Sequence, residues 1–96
     1  MAKKQLPDPL EIQRADAVIA LPGSIGTFDE LFDALAQRKQ GVVSCPIGVL
    51  NIDGFFDQLF ELLKKSKEVG FTSLKTFQIL QSGRTPEELF QKFQQR

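Results

Sequence analysis

An α/β domain built on a parallel sheet is the fold that this sequence predicts. Two observations carry the prediction. Short apolar runs recur at residues 17–21 (Ala-Val-Ile-Ala-Leu), 47–51 (Ile-Gly-Val-Leu-Asn) and 77–80 (Phe-Gln-Ile-Leu), and each is followed by a segment with helical periodicity. Buried strands alternating with amphipathic helices need crossover connections, which are right-handed and set the strands side by side in parallel. The order is therefore βαβαβα.

Each element is explained by its residues. Residues 1–14 read as an irregular arm, because Pro7 and Pro9 disfavour helix at and just before their positions; a helical turn can begin near Leu10. Residues 15–96 then make one α/β domain. The run at 17–21 ends at Pro22 and reads as a buried parallel strand. Residues 27–38 predict a helix, with Phe28, Leu31, Phe32 and Leu35 on one stripe and Gln40-Gly41 at its end. Residues 47–51 predict the second strand, and Asn51-Ile52-Asp53-Gly54 a loop in which Asn51 and Asp53 cap the next helix. Residues 55–68 predict that second helix. Phe56, Leu59, Phe60 and Leu63 form its inner face, Lys64, Lys65 and Lys67 load its carboxyl end, and Gly70 sits where a C-cap belongs. A turn at 73–76 leads to a third strand at 77–80. Thr85-Pro86-Glu87-Glu88 is a strong helix start, with Thr as N-cap, Pro at N1 and Glu at N3, and Leu89, Phe90 and Phe93 point inward. The whole looks like one half of a three-layer Rossmann-type domain.

Composition narrows the functions open to it. Ninety-six residues make one small domain with 42% hydrophobic and 25% charged content, ordinary for a globular chain. Twelve basic and twelve acidic side chains cancel, so no bulk charge points to nucleic acid or an anionic membrane. The apolar runs fall far short of the ~20 residues that cross a bilayer, and the start lacks the apolar centre of a secretion signal. A single cysteine, Cys45, forms no internal disulfide and reads as a small core residue. The expected location is cytoplasmic. With no histidine, a Ser-His-Asp or Cys-His arrangement is impossible within this chain. Carboxylates, lysines or bound water must do any proton transfer.

The chemistry concentrates in Pro22-Gly23-Ser24-Ile25-Gly26-Thr27-Phe28-Asp29-Glu30. A strand, a glycine-rich turn and a helix start, in that order, make an anion site. The first amides of the helix have no partner within it, and its dipole adds positive potential there. A plainer reading makes Thr27 an N-cap and Glu30 the residue that reaches back to it. That reading leaves Pro22-Gly23 and Gly26, packed behind a buried strand, without a purpose. Ligands of open α/β sheets bind at the carboxyl ends of strands, where this turn must lie.

The same run resembles P-G-G-x-G-T-x-x-E, the signature of the Lonely Guy proteins, long labelled possible lysine decarboxylases; Ser24 replaces the second glycine. Residues 46–56 resemble the family's P-x-x-x-L-N-x-x-G-[FY]-[FY] segment, and Gly70-Phe71-Thr72-Ser73 its G-F-[IV]-S turn. The similarity covers the second half of the usual family chain. It implies a cytokinin riboside 5′-monophosphate phosphoribohydrolase, with no metal or organic cofactor. An AMP-like nucleotide would be held by Gly23, Ser24, Ile25, Gly26 and Thr27 through its phosphate, and Glu30 would be the catalytic carboxylate. The family's catalytic Arg, in M-x-x-R-K-x-x-M, falls near Pro7 and has no match here. Family members dimerise through helices of this region, so Phe28 with Phe32, or Phe55 with Phe56, are candidate contacts of a homo-oligomer. A non-catalytic binding module, and one piece of a split family member, remain open beside the enzyme. A bare half-sheet also leaves a strand edge that invites pairing.

Overall fold

The computed structural model describes residues 9–95, with side chains from residue 12 onward. Its elements are α1 (Pro9–Arg14), β1 (Val18–Ala20), α2 (Ile25–Lys39), β2 (Ile47–Leu50), a 3-10 turn (Ile52–Gly54), α3 (Asp57–Glu68), α4 (Leu74–Phe77), β3 (Leu80–Gly83) and α5 (Pro86–Gln94). The strands form one sheet in the order β1-β2-β3, and both pairings are parallel. Val18 lies opposite Ile47, and Ile47 opposite Leu80.

Alternation along the strands divides the sheet into two faces. Ile47 and Val49 point one way and are fully buried with Leu31 and Ala34 of α2, Phe56 ahead of α3, and Ala20 and Leu80 of the flanking strands. Gly48 and Gly83 point the other way, beneath α5. A Cβ on Gly48 would come within 2.7 Å of Leu89 and 2.9 Å of Phe93, so α5 sits on the bare backbone of β2 and β3. Glycine serves there because the helix lies too close for any side chain.

Several expectations needed shifting. The arm at 1–14 is in part helical, because Pro9 opens α1: proline lacks an N–H that a first helical residue does not need. The rest of that arm, with Pro7, lies outside the described residues. The third strand is Leu80–Gly83, not residues 77–80. Ser73 accepts a hydrogen bond from the Thr76 amide at 3.1 Å, which winds Leu74–Phe77 into a helical turn. The strand itself then runs through polar Gln81 and Ser82, which suit a sheet edge. The second helix starts at Asp57 rather than 55. Asn51 accepts from the Phe56 amide at 2.7 Å and donates to Asp57 at 2.8 Å, holding the 3-10 turn ahead of α3. Asp53 lies in the left-handed region, with φ 54.

The inner faces also rotate. On α2 the buried residues are Leu31, Ala34 and Gln37, while Phe32 stays 45% exposed. Phe32, Leu35, Leu63 and Phe77 instead line a shallow apolar groove between α2, α3 and α4. On α5, Leu89 and Phe93 are buried but Phe90 is half exposed. Phe56 is fully buried, whereas Phe55 stays partly exposed and stacks on Phe28. The helix ends behave as their residues require. Gly41 and Gly70 take positive φ just past α2 and α3. Thr85 accepts from the Glu88 amide at 3.1 Å, and the Glu88 carboxylate accepts from the Arg84 amide at 2.7 Å.

Gln37 is the exception to a well-satisfied interior. Its side chain is buried, and neither its Nε2 nor its Oε1 has a hydrogen-bond partner among the described residues. An unpaired buried amide costs about 1–3 kcal/mol. Gln37→Met keeps the length of the side chain and removes the two polar atoms. We expect it to raise unfolding free energy by about 1–2 kcal/mol, read by urea denaturation. A loss of stability would show that the amide is satisfied in solution.

Candidate functional site

The site is built where β1 runs into α2. Pro22 and Gly23 end the strand, Ser24 is the N-cap, and α2 begins at Ile25, two residues before the start expected at Thr27. Thr27 is therefore the third residue of the helix, not its cap, and Glu30 lies on the following turn. The first intrahelical bond runs from the Phe28 amide to the Ser24 carbonyl at 3.1 Å. The amides of Ser24, Ile25, Gly26 and Thr27 precede it, and none meets an acceptor among the described residues. They are the donors that any helix leaves over at its start.

Two helix starts in this chain can be compared. α5 satisfies its own, through Thr85 and Glu88, and carries Glu87 and Glu88 in its first turn. α2 does neither. Ser24 makes no side-chain cap, and no acid occupies the first turn. Among the described residues the first turn of α2 thus carries no carboxylate to offset the positive end of its dipole, at the carboxyl end of a parallel strand.

The two motif glycines act differently from a simple flexible hinge. Neither Gly23 nor Gly26 takes positive φ. Gly23 is needed for space: a Cβ there would overlap the Thr27 hydroxyl, and would stand 3.1 Å from its Cβ. The Thr27 side chain folds back over Gly23 and fixes the turn. Ser24, the departure from the family pattern, has φ −121 and ψ −156, an extended conformation that any residue adopts. Its side chain brings no backbone strain.

Thr27 and Glu30 fall one turn apart on the same face of α2. Together with Leu31 they line a cleft of about 230 Å³ along β1 and Leu21, which follows it. Thr27 and Glu30 are half-buried, whereas Gly23, Ser24 and Ile25 are exposed and lie outside the cleft's described lining. Of the loop that the sequence singled out, Thr27 is the residue that shares this cleft with Glu30. The described lining of this cleft contains no Lys or Arg. Arg14 is exposed on α1, and Lys4 lies outside the described residues. A wider neighbouring cleft of about 490 Å³ opens at the tips of β2 and β3, among Asn51, Asp53, Asp57 and Arg84. Sequence reading made Asn51 and Asp53 a helix-capping turn and did not single out Arg84, because strand β3 ends three residues later than the apolar run suggests. Cys45 is half-buried, and its carbonyl accepts from the Arg38 guanidinium at 2.8 Å, in keeping with a structural residue. Among the described residues there is no His/Cys/Asp/Glu group that could hold a metal, and no helix is long and apolar enough to cross a membrane.

Comparison with known proteins agrees with this geometry. The family described as possible lysine decarboxylase matches residues 10–93. The chain is 37% identical over 83 residues to the cytokinin riboside 5′-monophosphate phosphoribohydrolase LOG4 of Arabidopsis thaliana, covering 86% of this chain and 39% of that protein. It is 39% identical over 79 residues to LOG2 of the same plant, covering 82% of this chain and 37% of LOG2. It is 39% identical over 83 residues to the probable phosphoribohydrolase LOGL1 of Oryza sativa subsp. japonica, covering 86% of this chain and 37% of LOGL1. The chain spans under two fifths of the length of these relatives. A strand, an uncapped helix start and a glutamate one turn on, set in a parallel sheet with this sequence similarity, place the chain in the possible lysine decarboxylase, or Lonely Guy, family.

Proposed function

We propose that this chain carries the phosphate and ribose part of a site that hydrolyses a nucleoside 5′-monophosphate to free base and ribose 5-phosphate. The observation that carries the reading is the α2 start. Among the described residues its first four amides meet no acceptor and its first turn carries no acid, and Thr27 of that turn shares a cleft with Glu30. The amides of Ser24 to Thr27 hold the 5′-phosphate, with the Thr27 and Ser24 hydroxyls at hand. The ribose then lies along the cleft toward Glu30. Breaking the bond between C1′ and the base nitrogen builds oxocarbenium character on the ribose. The Glu30 carboxylate stabilises that charge or takes a proton from the attacking water, whose oxygen bonds to C1′ while the base nitrogen gains a proton. The relatives are named for cytokinin riboside 5′-monophosphates, and a purine base is the substrate class they suggest. Self-association through α2 belongs to the same reading, supported by exposed Phe32 at the apolar groove.

A second reading has its own support. The family's catalytic Arg, which falls near Pro7, has no match in the sequence, which favours a nucleotide-binding module without hydrolysis.

Amide resonances and product release separate the two. Adding AMP should move the Ser24 to Thr27 amide signals, and adenosine, which lacks the phosphate, should not. Glu30→Gln should leave those shifts in place and lower adenine release by roughly 100-fold or more. Shifts with no adenine release from the wild-type protein favour the binding module. Amides that ignore AMP reduce the loop to a helix start.

A further inference from the structure

We propose that the turn closing α3, with Phe71 at its tip, is a docking point for an anionic lipid surface. The backbone of this turn is fixed. The Phe71 amide donates to the Ser66 carbonyl at 2.9 Å, and the Gly70 amide to the Lys67 carbonyl at 3.1 Å. Gly70 supplies the positive φ, 92°, that this pair of bonds requires. The Ser66 and Thr72 hydroxyls meet at 2.6 Å, and the Ser73 cap of α4 follows at once. A helix end of this kind commonly packs the apolar residue after its glycine back onto the helix. Here that residue stays out. Phe71 is 86% exposed, the highest value of any large apolar side chain among the described residues. Val69 and Leu74, on either side of it in sequence, are more than half exposed. An ordered turn that holds three apolar side chains in water is preorganised for burial against something else.

Charge identifies that surface. Residues 64–75 carry four lysines and one glutamate, a net +3 in a chain whose total is zero. The even balance of the whole chain therefore hides a local excess. Lys64, Lys65 and Lys75 are exposed, while the Lys67 ammonium lies over the Phe77 ring, 4.8 Å from its centroid. The α3 dipole accounts for Lys65 and Lys67 in its last turn. It accounts neither for Lys75 beyond the turn nor for a phenylalanine left unpacked between the lysines. Protein–protein interfaces are enriched in aromatic residues but depleted in lysine, so a protein partner explains half of the patch. A lipid surface explains both halves. The apolar tips enter the headgroup boundary, and the ammonium groups stay among the anionic headgroups. Each lysine near such a surface is worth about fivefold in partitioning. The contact is thus reversible and sensitive to salt. It involves neither the α2 amides nor Glu30, and it stands whether or not the site hydrolyses a nucleotide.

Co-sedimentation with vesicles tests it. At low salt the chain should bind phosphatidylcholine vesicles carrying about 30% phosphatidylserine roughly 20-fold or more above phosphatidylcholine alone. About 0.5 M NaCl should remove the difference. Phe71→Ala should weaken binding by roughly 5- to 10-fold, and Lys64→Gln with Lys75→Gln by roughly 25-fold. All three residues are exposed, so urea denaturation should find these variants as stable as the parent. Phe90→Ala is the control: Phe90 is 50% exposed on α5, across the sheet from α3, and its loss should leave binding unchanged. The chain has no tryptophan, so Phe71→Trp places a single indole at the tip. Its emission should shift to the blue on phosphatidylserine vesicles, whereas that of Phe90→Trp should not. Equal binding to both kinds of vesicle, or affinity that ignores the Phe71 and lysine substitutions, would overturn the proposal. So would light scattering in which Phe71 joins two copies of the chain while vesicles take up none.

Discussion

Phe56→Ala should lower the unfolding free energy by about 3–5 kcal/mol. Phe56 is 1% exposed and is the largest side chain fully enclosed in the main core. It is also pinned at both ends. Its amide is held by Asn51 at 2.7 Å, and its ring meets Phe55 edge-on at 4.9 Å between centroids. The surroundings cannot collapse into the space it leaves, because β2 and α2 press on it from a sheet and a helix that are themselves packed. A domain of this size has about 5–15 kcal/mol in total. The substitution should therefore shift the melting temperature by roughly 15–30 °C, or leave the chain unfolded. Phe55→Ala is the control. That ring is 45% exposed, so its loss should cost well under half as much. Equal losses at the two positions would contradict the assignment of Phe56 to the core.

Gly23→Ala should remove nucleotide binding with a much smaller effect on stability. The new methyl would occupy the place of the Thr27 hydroxyl, and Thr27 sits in the first turn of a fifteen-residue helix that does not shift easily. The exposed turn gives way instead, and the amides of Ser24 to Thr27 move from their places at the α2 start. A displacement of about 1 Å in such a positioning group costs on the order of 100-fold. AMP affinity should fall by roughly that factor, measured by calorimetry, while urea unfolding changes by about 1 kcal/mol. A double-mutant cycle locates the cause. Thr27→Ala removes the clashing oxygen, so Gly23→Ala should do less harm in that background. If the two losses simply add, the crowding between these residues is not the reason for the glycine.

Fold and site were legible to different depths. The strands at β1 and β2 announced themselves because they are apolar throughout. β3 was misplaced because its residues are not. Gln81 and Ser82 carry no apolar signal, and the neighbouring run of Phe77 and Ile79 is drawn into a helical turn by the Ser73 cap. The boundary of α2 was hidden for a related reason. Thr27 is a good cap by type, but Gly23 leaves room for its side chain to fold back, and the helix starts earlier. The loop with Glu30 was readable, since a helical spacing alone sets Thr27 and Glu30 on one face. Arg84 and the wider cleft beside it depend on where β3 stops, which no local pattern fixes.

The extended backbone at Ser24 carries a consequence for recognising such proteins. A pattern that insists on two successive glycines treats the second as a conformational necessity, yet here its place sits at φ −121. Natural variation or deliberate design can therefore write many side chains into that slot and keep the loop's shape. Searches that relax this single letter, while holding the glycine before it fixed, should gather chains that a stricter pattern discards.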